Sequence, residues 1–200
     1  TLTALTDVVV NGNIQVGFHP SHIDGVNRSE STFTVKGLTV KGTLTVLSAD
    51  ANLVVDDNKA AQITVKTYSE GINIAISGNE VDGTLGAASN KYGMFLVPNA
   101  TAYNLKVEGN TFKNVNSHAF VVQGSGDGAA VTAANSITLK ANNFESWGLG
   151  GSANRAAFKI WADTKYAPSS STLSETTVAM RELVKSIASE ESGNKFLSTE

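Results

Sequence analysis

The residues of this chain that could do chemistry are few and scattered. In FHPSHIDG, His19, His22 and Asp24 place two imidazoles and a carboxylate within one short loop. Imidazole and carboxylate are common ligands of divalent metals, so these three form a candidate metal set. Pro20 argues for a loop, no second cluster completes the coordination, and the remaining histidine, His118, is distant in sequence. A solvated loop or an N-terminal cap is the plainer reading. Asp56 and Asp57 in VVDDNK are a carboxylate pair, the group that acid and base work on a glycosidic bond, or calcium, would use. On a strand, neighbours face opposite sides, so only a corner would expose both to solvent. Arg155, followed by Lys159 and Asp163, is the remaining catalytic candidate; ordinary surface charges are its alternative. Trp147, Trp161 and Tyr166, with Tyr92 and Tyr103, could stack on sugar rings and are the candidate binding residues.

Two further stretches carry weaker signals. GSGDGAA at 124–130 is similar to a single glycine-aspartate calcium turn, but one copy is not an array, and a plain loop explains it equally. Calcium is thus the only cofactor suggested. Asn27 in NRS and Asn99 in NAT match the glycosylation acceptor pattern, which matters only in a eukaryotic secretory pathway.

The elements that must position these groups follow from composition and pattern. A chain of 200 residues with 41% hydrophobic residues is long enough to bury a sizeable core. Its charged fraction is 16% and its formal net charge is -3, so no basic surface for nucleic acid is expected. Cysteine is absent, which excludes disulfides and thiolate metal sites without fixing a compartment. No apolar run approaches the roughly 20 residues needed to span a bilayer. The start TLTALTDVVV has neither Met nor a basic leader, which suggests a processed form or a fragment.

From Thr32 the sequence TFTVKGLTVKGTLTVLSADANLVV alternates apolar with polar residues, with glycines between, as short strands do. Similar pieces recur at 7–16, 62–68, 72–77, 93–97, 103–109, 119–124, 136–141 and 156–162. Turn-rich segments of varied length separate them. Three pieces echo one another: AISGNEVDG, KVEGNTFKNV and LKANNFESW, whose Asn79, Asn110 and Asn142 stand about 31 residues apart. A repeat with variable insertions is the mark of a solenoid. The asparagines would then occupy equivalent corners in left-handed backbone conformation, hydrogen-bonded in a stack, with Val81, Phe112 and Phe144 as an inward column.

These echoes resemble the strand-turn-strand repeats of right-handed parallel β-helix proteins with the pectin-lyase-like fold, and GLTVKGTLTVLSADANLVV is similar to β-helical bacterial surface proteins. The resemblance covers residues 5 to 165 and implies architecture more than activity. A β-sandwich with coincidental turns is the alternative. The galacturonan hydrolases of this fold accompany their aspartates with Gly-His-Gly and Arg-x-Lys segments, which this chain lacks. The arginine pattern of the pectate lyases is also hard to place on Arg28, Arg155 and Arg181.

After KYAPSSST the pattern changes. Met180, Leu183, Val184 and Ile187 fall at helical spacing, Thr172 and Glu175 fit a capping box, and SGN at 192–194 would stop the helix. Such a helix would cap the solenoid or dock on a partner. Because SGNKF at 192–196 repeats the Gly-Asn-x-hydrophobe pattern, it could instead be an insertion between coils of a chain that stops in mid-solenoid.

The expected architecture is therefore all-β: a right-handed parallel β-helix over 1–170, of roughly six coils by its repeat spacing, with a C-terminal amphipathic capping helix and tail over 171–200. Because every catalytic signature is incomplete, the expected function is a non-catalytic secreted or cell-surface module of a bacterial protein for glycan binding, adhesion or structural display. A polysaccharide lyase or glycoside hydrolase with a divergent site is the alternative. The expected partner is a polysaccharide or cell-surface glycan.

Overall fold

The computed structural model describes residues 2–3, 8–22, 31–86, 92–99, 102–123, 136–151, 155–161 and 184–197. Among them the structure is all-β, and the paired strands are parallel throughout. The first sheet runs β1 (Leu2–Thr3), β4 (Thr32–Lys36), β6 (Asn52–Asp56), β8 (Ile72–Ser77), β11 (Tyr103–Glu108) and β14 (Ser136–Lys140). The second holds β2 (Val9–Val10), β3 (Ile14–Gly17), β5 (Thr39–Ser48), β7 (Lys59–Thr67), β9 (Glu80–Asp82), β10 (Met94–Pro98), β12 (Thr111–Lys113), β13 (Phe120–Gln123), β15 (Asn143–Phe144), β16 (Phe158–Trp161) and β17 (Lys195–Phe196).

Parallel neighbours cannot be joined by a hairpin. Here a strand of the other sheet serves as part of each crossover, so successive strands of one sheet come from successive repeats of the sequence. In the early repeats β7 runs unbroken, pairing β9 with its first residues and β10 with its last. In later repeats the long strand is replaced by two, such as β9 and β10, with residues 83–93 inserted between them in the chain. That explains why the repeat is shorter before Ile72 than after it.

Alternation fixes which side chains face inward. In β8 and β11, Ile72, Ile74, Ile76, Tyr103, Leu105 and Val107 are buried while Asn73 and Asn104 are exposed. Register then stacks like on like: Val35, Val55, Ile76, Val107 and Leu139 form one buried column. Leu44, Ile63, Met94, Phe120 and Phe158 form another on the second sheet. Each fully buried aliphatic or aromatic side chain of such a column stabilises by about 1.5–3 kcal/mol.

The asparagines form a buried ladder, and it is longer than the Gly-Asn echoes: Asn58, Asn79, Asn110, Asn142 and Asn194. The backbone N–H of each of the first four donates to Oδ1 of the next at 3.0 Å. The side-chain amide donates to the same oxygen at 2.9–3.0 Å and to a carbonyl of the neighbouring first-sheet strand. The left-handed corner, however, falls one residue earlier than expected. Gly37, Asp57, Gly78, Gly109, Ala141 and Gly193 have φ between 53° and 77°, and none of the ladder asparagines has positive φ. The physical reason is a division of labour: the residue before each asparagine turns the chain, which frees the amide to point inward.

Next to the ladder, Val40, Ala60, Val81, Phe112, Phe144 and Phe196 stand in register. The rings of Phe112, Phe144 and Phe196 stack at 4.9 and 5.1 Å, tilted by only 9° and 6°. Ring stacking of this kind adds about 0.5–1.5 kcal/mol per pair beyond area burial.

The SGNKF segment thus supplies both a ladder asparagine and β17. Where earlier repeats have a first-sheet strand, this one has a helical turn at 184–187 and a 3-10 turn at Glu190–Ser192. Val184, Ile187 and Ala188 are half-buried against the core. The Ala141 N–H donates to the Ser192 carbonyl at 3.0 Å, matching Gly109 to Lys140 and Gly78 to Glu108 in the preceding repeats. Thr172, Glu175, Met180 and Leu183 of the expected helix lie outside the described residues.

Candidate functional site

The outward residues of the first sheet make three rows that cross its strands. The first row is Thr32, Asn52, Asn73, Asn104 and Ser136. The second is Thr34, Val54, Ala75, Lys106 and Thr138, and the third is Lys36, Asp56, Ser77, Glu108 and Lys140. Adjacent members stand about 4.8 Å apart, the spacing of paired strands. The asparagines of the first row are bonded across strands: Asn73 N–H and amide donate to Asn52 Oδ1 at 2.8 and 3.3 Å, and the Asn104 amide to Asn73 Oδ1 at 3.0 Å.

Charge along the third row is balanced. Lys36 meets Asp56 at 2.7 Å, and Glu108 meets Lys106 at 2.6 Å and Lys140 at 3.8 Å. The hydrogen bond and charge of Asp56 raise the Lys36 ammonium above its ordinary value, and donation from Lys36 and Ser77 lowers the Asp56 carboxyl. Donation from Lys106 likewise lowers Glu108. The face is therefore a lattice of amides and hydroxyls bordered by paired ions.

The candidate catalytic residues do not converge here. Asp56 belongs to the third row, bonded to Lys36 and accepting from the Ser77 hydroxyl at 2.7 Å. Asp57 turns the corner at φ 53° and is exposed. Arg155 lies just before β16 of the second sheet, where its guanidinium donates to the Ser117 hydroxyl. Asp163 lies outside the described residues.

A carboxylate group that the sequence pattern did not single out sits on the second sheet. Glu80 pairs with Lys59 at 2.9 Å and Lys113 at 2.8 Å, and Lys113 reaches Asp82 at 3.7 Å. Asp82 Oδ1 also accepts from the Thr84 hydroxyl at 2.7 Å and the Asn114 amide at 2.9 Å. Burial works to raise the Asp82 carboxyl, but these bonds and Lys113 outweigh it and hold it low. Its partners tie a turn to the next repeat, which is structural work. The signal was Glu80 and Lys113 flanking the echoed hydrophobes Val81 and Phe112.

His19 is exposed, bonded to Ser21 Oγ at 2.8 Å and edge-on to the Tyr68 ring at 4.8 Å. Asp24 lies outside the described residues, and of His22 only the backbone is described. Among the described residues no three His, Asp or Glu side chains gather to hold a metal. Trp147 is half-buried against the core and bridges to Val115. Trp161 ends β16, where its backbone alone is described, while Tyr166 and the 124–130 turn lie outside the described residues. Tyr103 is buried, which pushes its phenol well above the ordinary value, and Tyr92 is half-buried and stacked on Phe95 at 5.2 Å. A cavity of about 180 Å³ opens near the N-terminal strands between Phe18, Phe33, Leu47 and Ala51.

Among the described residues no helix is long and apolar enough to cross a membrane. Comparison of the chain with protein-family models, curated proteins and solved structures gives no match. The functional reading therefore rests on the geometry.

Proposed function

We propose that the chain is a right-handed parallel β-helix solenoid, and that it serves as a non-catalytic, secreted or surface-attached module whose first-sheet face binds glycan. In-register pairing of successive repeats and the unbroken asparagine ladder support the solenoid. Right-handed winding follows from the near-universal hand of parallel crossovers. One observation carries the function: the first sheet presents cross-strand rows of Asn, Thr, Ser and Lys, with Asn52, Asn73 and Asn104 held in fixed orientation by one another. Preorganised amides and hydroxyls can donate to and accept from sugar hydroxyls with little ordering cost. The separation of Asp56 and Asp57 from Arg155 weighs against a lyase or hydrolase site.

The test is a glycan array on the purified protein, run with calcium and with chelator, followed by reducing-end and unsaturated-product assays on each ligand found. Binding without turnover is expected, and a double Asn104→Ala, Lys106→Ala variant is expected to lose it while keeping its circular dichroism spectrum. Turnover would overturn the reading in favour of the enzyme. Silence on the array would leave a structural stalk as the better account.

A further inference from the structure

We infer that Asn11, between β2 and β3, is a site of spontaneous covalent modification: its side chain closes on the Gly12 nitrogen and reopens as aspartate or isoaspartate, and the isoaspartate form releases β2 from the sheet. The site belongs to the second sheet and does not depend on the glycan reading.

The reaction needs a main-chain nitrogen that can reach the amide carbon of the preceding side chain, and a Cβ on the attacking residue hinders that approach. Glycine lacks the Cβ and has the widest choice of φ and ψ. In this sequence Asn11 is the one asparagine that glycine follows. Both residues are exposed and lie in a bend between strands. Among the described residues the Gly12 N–H meets no acceptor and the Asn11 amide has no partner, so neither reacting group must first break a bond. Asn13 is the contrast: its Oδ1 accepts the Thr43 N–H at 2.8 Å, and Ile14 follows it.

The step balances with water as the co-reactant. The Gly12 nitrogen gives its proton to hydroxide, and its electron pair attacks Asn11 Cγ. The N–Cγ bond forms, the Cγ–Nδ2 bond breaks, and Nδ2 leaves as ammonia after taking a proton from water. Water then opens the cyclic imide at either carbonyl. Opening at Cγ leaves an aspartate with an ordinary main chain. Opening at the main-chain carbonyl leaves isoaspartate, in which the chain runs through Cβ and Cγ and is one atom longer.

The fold makes that extra atom matter. Val9 and Val10 pair with Thr39 and Val40, and Ile14 to Gly17 pair with Leu44 to Leu47. Residues 11–13 therefore cover the same gap as residues 41–43, and a longer main chain on one side fits only by bulging. Toward β5 the bend has no room to bulge, because even a Cβ at Gly42 would fall 2.9 Å from the Gly12 carbonyl oxygen. On the β3 side Asn13 is tied to Thr43. β2 has two residues, of which Val9 is exposed, so β2 is the strand that gives way.

The experiment incubates the whole chain at pH 8 and follows it by peptide mapping, with electron-transfer fragmentation to tell isoaspartate from aspartate. Hydrogen exchange is then read on the modified and unmodified fractions. The expected result is a mass gain of one unit at Asn11, with isoaspartate in the product and Asn13 unchanged. Gly12→Ala should slow the gain about tenfold. A Cβ at Gly12 meets nothing within 4 Å, so this variant should keep its circular dichroism spectrum. The isoaspartate fraction should lose protection at Val9 and Val10 and keep it in β3, whereas Asn11→Asp, with the charge but not the longer chain, should keep both. No gain at Asn11, an unchanged rate in Gly12→Ala, or full β2 protection in the isoaspartate fraction would each overturn the inference.

Discussion

Asn110 shows how much of this molecule hangs on single amides. Its Oδ1 accepts from both the backbone and the side chain of Asn79, and its Nδ2 donates to the Ile76 carbonyl and to Asn142. Asn110→Ala strands a buried N–H of one repeat and a buried carbonyl of another, each worth about 1–3 kcal/mol when left unpaired. The variant should lose roughly 3–5 kcal/mol, read as a lowered urea midpoint at unchanged slope. Asn110→Asp, which keeps the acceptor but buries a charge and drops the donors, should be no better. At Ala141 the sign reverses. It is exposed, has φ 54°, and occupies the corner that Gly37, Gly78, Gly109 and Gly193 turn in other repeats. Left-handed backbone costs a residue with Cβ about 1–2 kcal/mol, against about 0.5–1 for the extra flexibility of glycine in the unfolded chain. Ala141→Gly should therefore stabilise by roughly 0.5–1 kcal/mol, and Gly109→Ala, at φ 68° in open space, should destabilise by a similar amount. Thermal melts of the pair decide both.

At the scale of elements, the sequence made the later repeats plain and hid the earlier one. Asn79, Asn110 and Asn142 stood out because glycine or alanine precedes them and a large hydrophobe follows two residues later. Asn58 did not, since Asp57 turns that corner and the inward residue is only Ala60, with a repeat ten residues shorter than the next. The ladder is made by side-chain amides across repeats, and nothing local to Asp-Asp-Asn-Lys announces it. The same holds for the first-sheet rows: alternation made Asn73 and Asn104 outward residues, but only register brings them onto Asn52. The contact of His118 with the segment before β16 was equally invisible, because the Ala156 N–H reaches His118 Nδ1 across a 38-residue separation. The aromatic column is where element and packing meet most directly. Phe144 lies between Phe112 and Phe196 and is wholly buried, so Phe144→Ala should cost about 3–5 kcal/mol. Hydrogen exchange on that variant should show β17 losing protection well before β4, because among the described residues β17 reaches the sheet only through β15.

For the whole molecule, acid should act in two separate windows. His118 in the folded chain titrates at about 4, below its ordinary 6.5. Above pH 6.5 both folded and unfolded states hold it neutral and its contribution is complete. Between pH 6.5 and 4 the unfolded chain takes up a proton that the folded one refuses, so stability falls as pH falls and then levels. The loss should reach about 3 kcal/mol at most. Asp56, Glu80, Asp82 and Glu108 are also held low, by Lys36, Lys113, Asn114 and Lys106 among others. Their stabilisation is present above the ordinary carboxylate range and fades as pH drops below it, so it belongs to the second window. Urea titrations at pH 7.5, 5.5, 4.5 and 3 separate the two: His118→Gln should flatten the curve between 6.5 and 4.5 while leaving the fall below 4 in place. A wild-type curve already flat from 7.5 to 4.5 would mean that the imidazole is protonated in the folded chain. It would then have to give up the Ala156 N–H as a donor to Nδ1.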